Sequence, residues 1–479
     1  MPRGGGRSPL WLLLFSDFVL RTYALVPRQE QEILLNGQTA QAGNPADELL
    51  SCYNFNTSDS PTSFNEFIDG KPTRSVRLQK VWWSRRDAGF PITVFTPSTL
   101  ERLRVLELQC LSFPGGIVAA AIWLPLLQPE PPPGSGVSNL TLRNQISLKN
   151  ATQLVEGLFR RMEALNIGAA GTGSSDRSQS GSGFGACSLR LLLLSETLKD
   201  EALSVLMPIN ILRNAGMLAA DTPLAAMVDV DLSFSRSFGR NVMVNTTRTA
   251  EMVRRAELEN VLYVMPAWDT NRTLGRNRTA YIEQILATPP AEKTTKMRTD
   301  WQDKALLFPF AFDRFIPGHN ATNYPRWVTT DTLYGTPYTK GYEPWVIMAR
   351  KHMPSYDTRF RGYYYNKLLN VRYIGFQQKF KFWVLPDVWL IHRPHEITVS
   401  SNVWYKIKIK DHEDLSPVFD TPMFPNGSTW REVFNYRSKL WYLESMDRLE
   451  NRTYVPLSDA AWAHCKGVLS WWQQYVGSR

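Results

Sequence analysis

A chain of 479 residues, 43% hydrophobic and 20% charged, can bury one large domain with extensions or two smaller ones, which excludes a largely disordered polymer. Its formal charge of +10 suits an anionic partner, but Lys and Arg are spread thinly and form no concentrated block, so nucleic acid is set aside. The four cysteines, Cys52, Cys110, Cys187 and Cys465, lack zinc-knuckle or CxxC spacing; they allow two disulfides whose pairing the sequence does not disclose.

In chain order, Arg3 and Arg7 precede a short apolar run at 10–15 that Ser16 and Asp17 interrupt. A membrane span needs about 20 apolar residues, so residues 1–26 read as a signal peptide or short signal anchor, the only membrane attachment expected. Residues 27–89 read as a polar stem. From Phe90 the texture changes. Residues 91–96 carry a strand pattern, 99–108 place apolar residues at helical spacing, Gly115-Gly116 breaks the run, and 117–124 is a continuous apolar strand. Strand, helix, strand with fully apolar strands predicts a βαβ unit in an α/β domain with a mostly parallel sheet, here bounded at 90–400.

Two tracts rich in Pro, Gly and Ser, 129–136 and 168–185, read as flexible surface insertions near 129–188, because an apolar strand resumes at 191–194. Further strands are expected at 226–228 and 261–266. Residues 376–385 alternate and end shortly before His392 and His395. The remainder, 401–479, with Trp430, Trp441, Trp462, Trp471 and Trp472 in its later part, reads as a folded C-terminal extension. Nine N-x-[ST] patterns, at Asn56, Asn139, Asn150, Asn245, Asn271, Asn277, Asn320, Asn426 and Asn451, lean toward a glycosylated luminal protein.

Chemistry enters at Met227-Val228-Asp229-Val230-Asp231, an apolar strand ending in two carboxylates at i and i+2. At the carboxyl end of a parallel strand such a pair faces the ligand crevice. Hard oxygen ligands suit Mg²⁺ or Mn²⁺, ions that bridge the phosphates of a nucleotide and assist a departing diphosphate. A solvated strand end gives the same tripeptide, so the surroundings decide. They are Pro208-Ile209-Asn210-Ile211-Leu212-Arg213-Asn214-Ala215, then Val264-Met265-Pro266-Ala267-Trp268-Asp269, then residues 318–327, Tyr342-Glu343-Pro344-Trp345, residues 360–367 and residues 384–395.

In this order and spacing the segments resemble glycosyltransferase family 49 over about residues 90–398, a family that includes glucuronyltransferases. The resemblance implies a GT-A type fold, an inverting mechanism, a UDP-sugar donor, a glycan or glycoprotein acceptor, Mn²⁺ (or Mg²⁺), and a Golgi or endoplasmic-reticulum lumen. It places Asp229 and Asp231 as the metal-binding DxD and His392 as a third ligand. His395 is matched in only part of the family and ranks lower. Asn210, Arg213 and Asn214 fall beside the nucleotide. Asn323, Arg326 and Lys367 fall in the donor-binding segments, with Arg326 or Lys367 reading the carboxylate of glucuronic acid. An inverting transferase also needs a base for the acceptor hydroxyl. Glu343 is the first choice, with Pro344 read as the first turn of a helix; Asp269 and Asp357 are reserves. Where the family often has Glu this chain has Asp269. That departure and the insertion leave the acceptor open. UDP-N-acetylglucosamine or UDP-xylose remain alternative donors, and an inactive glycan-binding relative an alternative function.

Overall fold

The computed structural model describes residues 44–58, 60–85, 90–128, 140–171, 185–239, 245–395 and 416–473. The expected signal segment and the first part of the stem lie outside them. So do most of both low-complexity tracts. A short N-terminal unit ends at Pro45; the fold below is that of the unit from Ala46 onward.

Its centre is a nine-stranded mixed sheet. The strands are β1 (Val76–Trp83), β2 (Ile92–Thr99), β3 (Ile117–Leu127), β4 (Ser188–Leu198), β5 (Leu224–Met227), β7 (Val261–Met265), β10 (Tyr334–Thr336), β11 (Trp345–Ala349) and β12 (Lys381–Val384). Across the sheet they run β1-β4-β3-β2-β5-β11-β7-β12-β10. Strands β2 to β5 are mutually parallel, as the apolar runs predict, while β11 is antiparallel to both of its neighbours. Alternate residues of β3 feed two cores, which is why the run is apolar throughout. Ala119, Ala121 and Trp123 pack with Ile211, Leu212 and Ala215 of helix Ile209–Leu218. Val118, Ala120 and Ile122 pack with Leu106 and Cys110 of helix Leu103–Ser112 and with Val155 and Leu158 of helix Leu142–Gly171. Fully burying one such large aliphatic side chain contributes about 1.5–3 kcal/mol.

A second sheet of four short strands has the order β6 (Leu232–Phe234), β13 (Leu390–His392), β8 (Ala267–Thr270), β9 (Leu307–Pro309). Its registers matter for the site. β13 runs antiparallel to β6 with His392 opposite Leu232, and parallel to β8 with Ile391 beside Trp268. The residues one step outside these pairs are Asp231 and Asp269.

Four readings change in the fold. The described part of the stem is not loose: β1 pairs with β4, and Leu49 and Phe64 are fully buried. Between the two low-complexity tracts the chain forms helix Leu142–Gly171, whose apolar side chains cover β3 and β4. The alternation over 376–385 is only partly strand. Residues Tyr373–Gln377 continue the helix Asn366–Arg372, Lys379 adopts a left-handed φ of 56°, and β12 starts at Lys381. Glu343-Pro344 leads into strand β11, not into a helix. The described part of the tail, 416–473, is helical. Helix Trp430–Glu450 starts at a Thr429/Glu432 capping box and sets Trp441 against Phe67. Trp471 and Trp472 both donate indole N–H bonds to the Leu218 carbonyl. The disulfides are Cys52–Cys465, which ties the tail to the former stem, and Cys110–Cys187. Among the described residues no helix is long and apolar enough to cross a membrane.

Candidate metal centre and donor site

Strand β5 delivers Asp229 and Asp231 at its carboxyl end, and the chain then turns into β6. Gln109 holds that turn, its amide donating to the carbonyls of Asp229 and Leu232 at 3.0 Å each. The two carboxylates face different partners. Asp229 Oδ1 accepts Arg213 Nη2 at 3.2 Å, and its Oδ2 accepts the indole N–H of Trp345 at 3.0 Å with Lys367 Nζ at 3.7 Å. Asp231 Oδ2 lies 2.8 Å from His395 Nε2 and 3.8 Å from His392 Nε2. Asp231, His392 and His395 each offer one ligand atom, and these atoms lie within 4.8 Å of one another. Among the described residues they form a group that could hold a metal ion. It includes His395, which sequence ranked below His392, and it leaves Asp229 beside it as counter-ion to Arg213 and Lys367.

The donor chemistry fits a divalent ion. One carboxylate and two imidazoles suit Mn²⁺ better than Mg²⁺, which prefers oxygen alone. His392 Nδ1 lies 2.7 Å from Asp269 Oδ1, the carboxylate–imidazole pairing that fixes a metal-binding histidine. Burial opposes a charge on His392, but hydrogen bonds to Asp231 and Asp269 outweigh it and push the imidazole up to about 9. Burial likewise opposes ionisation of Asp231, yet His392 and His395 hold it well below the usual carboxylate range.

Arg213 occupies helix Ile209–Leu218 and is buried, donating also to Asn210 Oδ1 at 3.1 Å and Asn366 Oδ1 at 2.7 Å. Next to Asn366, Lys367 places its ammonium 3.7 Å over the Trp345 ring, and His319 stacks on the same indole at 5.3 Å. Burial first, and Lys367 second, depress the His319 pKa well below its ordinary value, so that imidazole is neutral. Glu343 sits two residues before Trp345, its N–H donated to Gly318 O at 2.9 Å. Burial pushes its carboxyl pKa up, Lys367 pulls it down, Asp229 raises it and Arg213 lowers it, with a net rise.

The other candidates stand elsewhere or are already engaged. The Asp357 carboxylate is bound by Arg359 at 2.7 Å and by the Tyr454 hydroxyl at 2.8 Å, so it serves as a structural hub. Asn214 spends its amide on the Tyr356 backbone and on Asp459. Asn323 caps the short helix Tyr324–Trp327, and Arg326 is exposed with its guanidinium 4.3 Å over Tyr334 of β10. Strand β10 is four places from β5, about 19 Å at the usual strand spacing. Of the two cations expected to read a donor carboxylate, the fold therefore brings Lys367 and not Arg326 to Asp229. Sequence reasoning gave no role to Trp345, although a buried indole N–H demands an acceptor, and passed over Gln109 inside an apolar helix.

The mixed α/β fold is that of a GT-A type glycosyltransferase. The chain belongs to the family described as "Glycosyl-transferase for dystroglycan", which matches residues 91–417. Among similar proteins, the xylosyl- and glucuronyltransferase LARGE1 of Gallus gallus is 30% identical over 210 residues, covering 42% of this chain and 25% of the relative. The Homo sapiens LARGE1 gives the same identity and coverage. The xylosyl- and glucuronyltransferase LARGE2s of Danio rerio is 26% identical over 352 residues, 68% of this chain and 43% of the relative. The chain thus spans less than half the length of these relatives.

Proposed function

We propose that this chain transfers a sugar, glucuronic acid in the first instance, from a UDP-sugar to a hydroxyl of a glycan acceptor with inversion, in the lumen of the secretory pathway. The observation that carries the proposal is the convergence of Asp231, His392 and His395 ligand atoms within 4.8 Å beside the Arg213–Asp229–Lys367 charge cluster. Asp231, His392 and His395 would hold Mn²⁺, whose chemistry is to neutralise charge on the departing diphosphate. Arg213 keeps Asp229 in place, and the Trp345 face carries Lys367 toward the donor. Glu343 as the carboxylate takes the proton from the acceptor hydroxyl while its oxygen bonds to the anomeric carbon and the bond to UDP breaks. Raising its pKa by burial makes it a stronger base than an exposed carboxylate.

The test is metal dependence. Purified protein should transfer from a UDP-sugar with Mn²⁺ and stop in excess chelator. Asp231→Asn should lose that activity while its thermal melt in chelator matches wild type. Full transfer by Asp231→Asn would refute the reading.

Lys367 supports the choice of donor. Its ammonium is mostly buried and within 3.7 Å of Asp229, so it can pair a second carboxylate, that of glucuronic acid. The relatives' names support glucuronyl and also xylosyl transfer. In competition, UDP-glucuronic acid should displace a labelled UDP ligand at lower concentration than UDP-glucose does, and Lys367→Ala should close the gap. A wild type preferring UDP-glucose or UDP-xylose would reassign the donor and leave the transferase reading in place.

A further inference from the structure

We infer that Asp269 is a positioning residue whose single carboxylate both sets the imidazole of His392 and anchors the loop that seats Glu343. The inference rests on the metal reading above.

The geometry runs through both oxygens. Oδ1 lies 2.7 Å from His392 Nδ1. A hydrogen on Nδ1 directed at the carboxylate leaves Nε2, on the Asp231 side of the ring, as the nitrogen able to ligate. The pairing follows from register: β8 and β13 run parallel with Ile391 beside Trp268, so the next residues, His392 and Asp269, meet although 123 positions separate them. Oδ2 accepts the Ala311 N–H at 3.3 Å, with Arg314 Nη2 at 3.6 Å. Both oxygens are thus tied to the protein, one to the ring and one to the loop.

From Ala311 the path continues to Glu343. Ala311 is a non-glycine residue at φ 55°, a conformation that persists only where neighbours hold it. Its carbonyl accepts the N–H groups of Arg314 and Phe315 at 3.0 and 2.7 Å. The Phe315 ring covers Gly318 so closely that a Cβ there would fall 2.5 Å from it, and the Gly318 carbonyl accepts the Glu343 N–H. Phe310, one residue before Ala311, packs edge-on against both His392 and His319 at 5.2 Å. The metal ligand and the base therefore share one support, and Asp269 is the link between them.

Three variants, Asp269→Ala, Asp269→Asn and His392→Ala, would be stripped with EDTA beside wild type and titrated with MnCl₂ by electron paramagnetic resonance. Amide exchange at Ala311 and Glu343 would be followed with and without Mn²⁺. Wild type should bind Mn²⁺ and gain protection at both amides. Asp269→Ala should weaken Mn²⁺ binding about 10–100-fold and lose the gain in protection. A purely structural role would leave the Mn²⁺ affinity of the folded variant unchanged. Asp269→Asn is nearly isosteric and keeps the fold testable. Its one carboxamide oxygen cannot serve His392 and Ala311 together, so it should lose affinity or protection; retaining both would overturn the inference. Wild-type affinity in Asp269→Ala, with His392→Ala impaired, would overturn the positioning role and leave the metal centre standing. Absence of Mn²⁺ binding by wild type would overturn both.

Discussion

Glu343→Gln should lower transfer by about 10²–10⁴-fold, the usual contribution of a positioned general base, while binding of UDP and Mn²⁺ stays at the wild-type level. The amide keeps the size of the side chain, and its backbone N–H still reaches Gly318 O. It cannot take a proton. Steady-state kinetics on a saturating donor, with UDP affinity measured separately, checks both halves. The pH profile adds a second signature. The base must be ionised, and burial raises its pKa, with Lys367 only partly compensating. Activity should therefore fall as pH drops through a value above the ordinary carboxylate range, and the residual activity of Glu343→Gln should lack that acid limb. Equal kcat and an unchanged acid limb in the variant would move the base elsewhere. Asp357 would be a poor substitute, because its two oxygens accept four hydrogen bonds from Arg359 and Tyr454.

The largest loss of stability is expected at the pair Glu196–Arg361. Both side chains are fully buried, and the guanidinium meets the carboxylate through two bonds, 2.8 and 2.5 Å. Trp123 Nε1 donates to the same carboxylate at 3.2 Å, and Arg361 Nε donates to Leu206 O at 2.9 Å. Removing one partner leaves a charge in dry surroundings, so Glu196→Ala should destabilise by about 3–5 kcal/mol. The double variant Glu196→Leu/Arg361→Met removes both charges and should regain much of that loss. Urea unfolding of the singles and the double, with the disulfides intact, decides it; a single variant within 1 kcal/mol of wild type would show that water reaches the pair. Function should follow stability here. Arg361 precedes Gly362, whose N–H is held by Met207 O at 2.7 Å, and the left-handed turn at Tyr364 and Tyr365 then delivers Asn366 and Lys367 to Arg213 and Asp229.

By itself the sequence determined the features that local pattern encodes. Short apolar runs of strand length bounded by turn residues read as strands covered on both faces, so β3, β4 and β7 were legible, and β2 by its strand pattern, as was the α/β class. Two carboxylates at the end of such a strand pointed to a metal site as an expectation, and seven ordered segments marked the family. The tertiary structure decided what each polar side chain meets. Whether His395 meets Asp231, whether Asp269 meets His392, and whether Lys367 or Arg326 reaches Asp229 depend on registers between strands far apart in the chain. One residue of slip would turn each side chain to the opposite face. The same holds for the stem. Its polar composition reads as loose, yet β1 gains the edge of the sheet and Cys52 meets Cys465 across 413 residues. Periodicity reports which face of an element is apolar; only packing reports which partner covers it, because that partner lies outside the window in which periodicity is read.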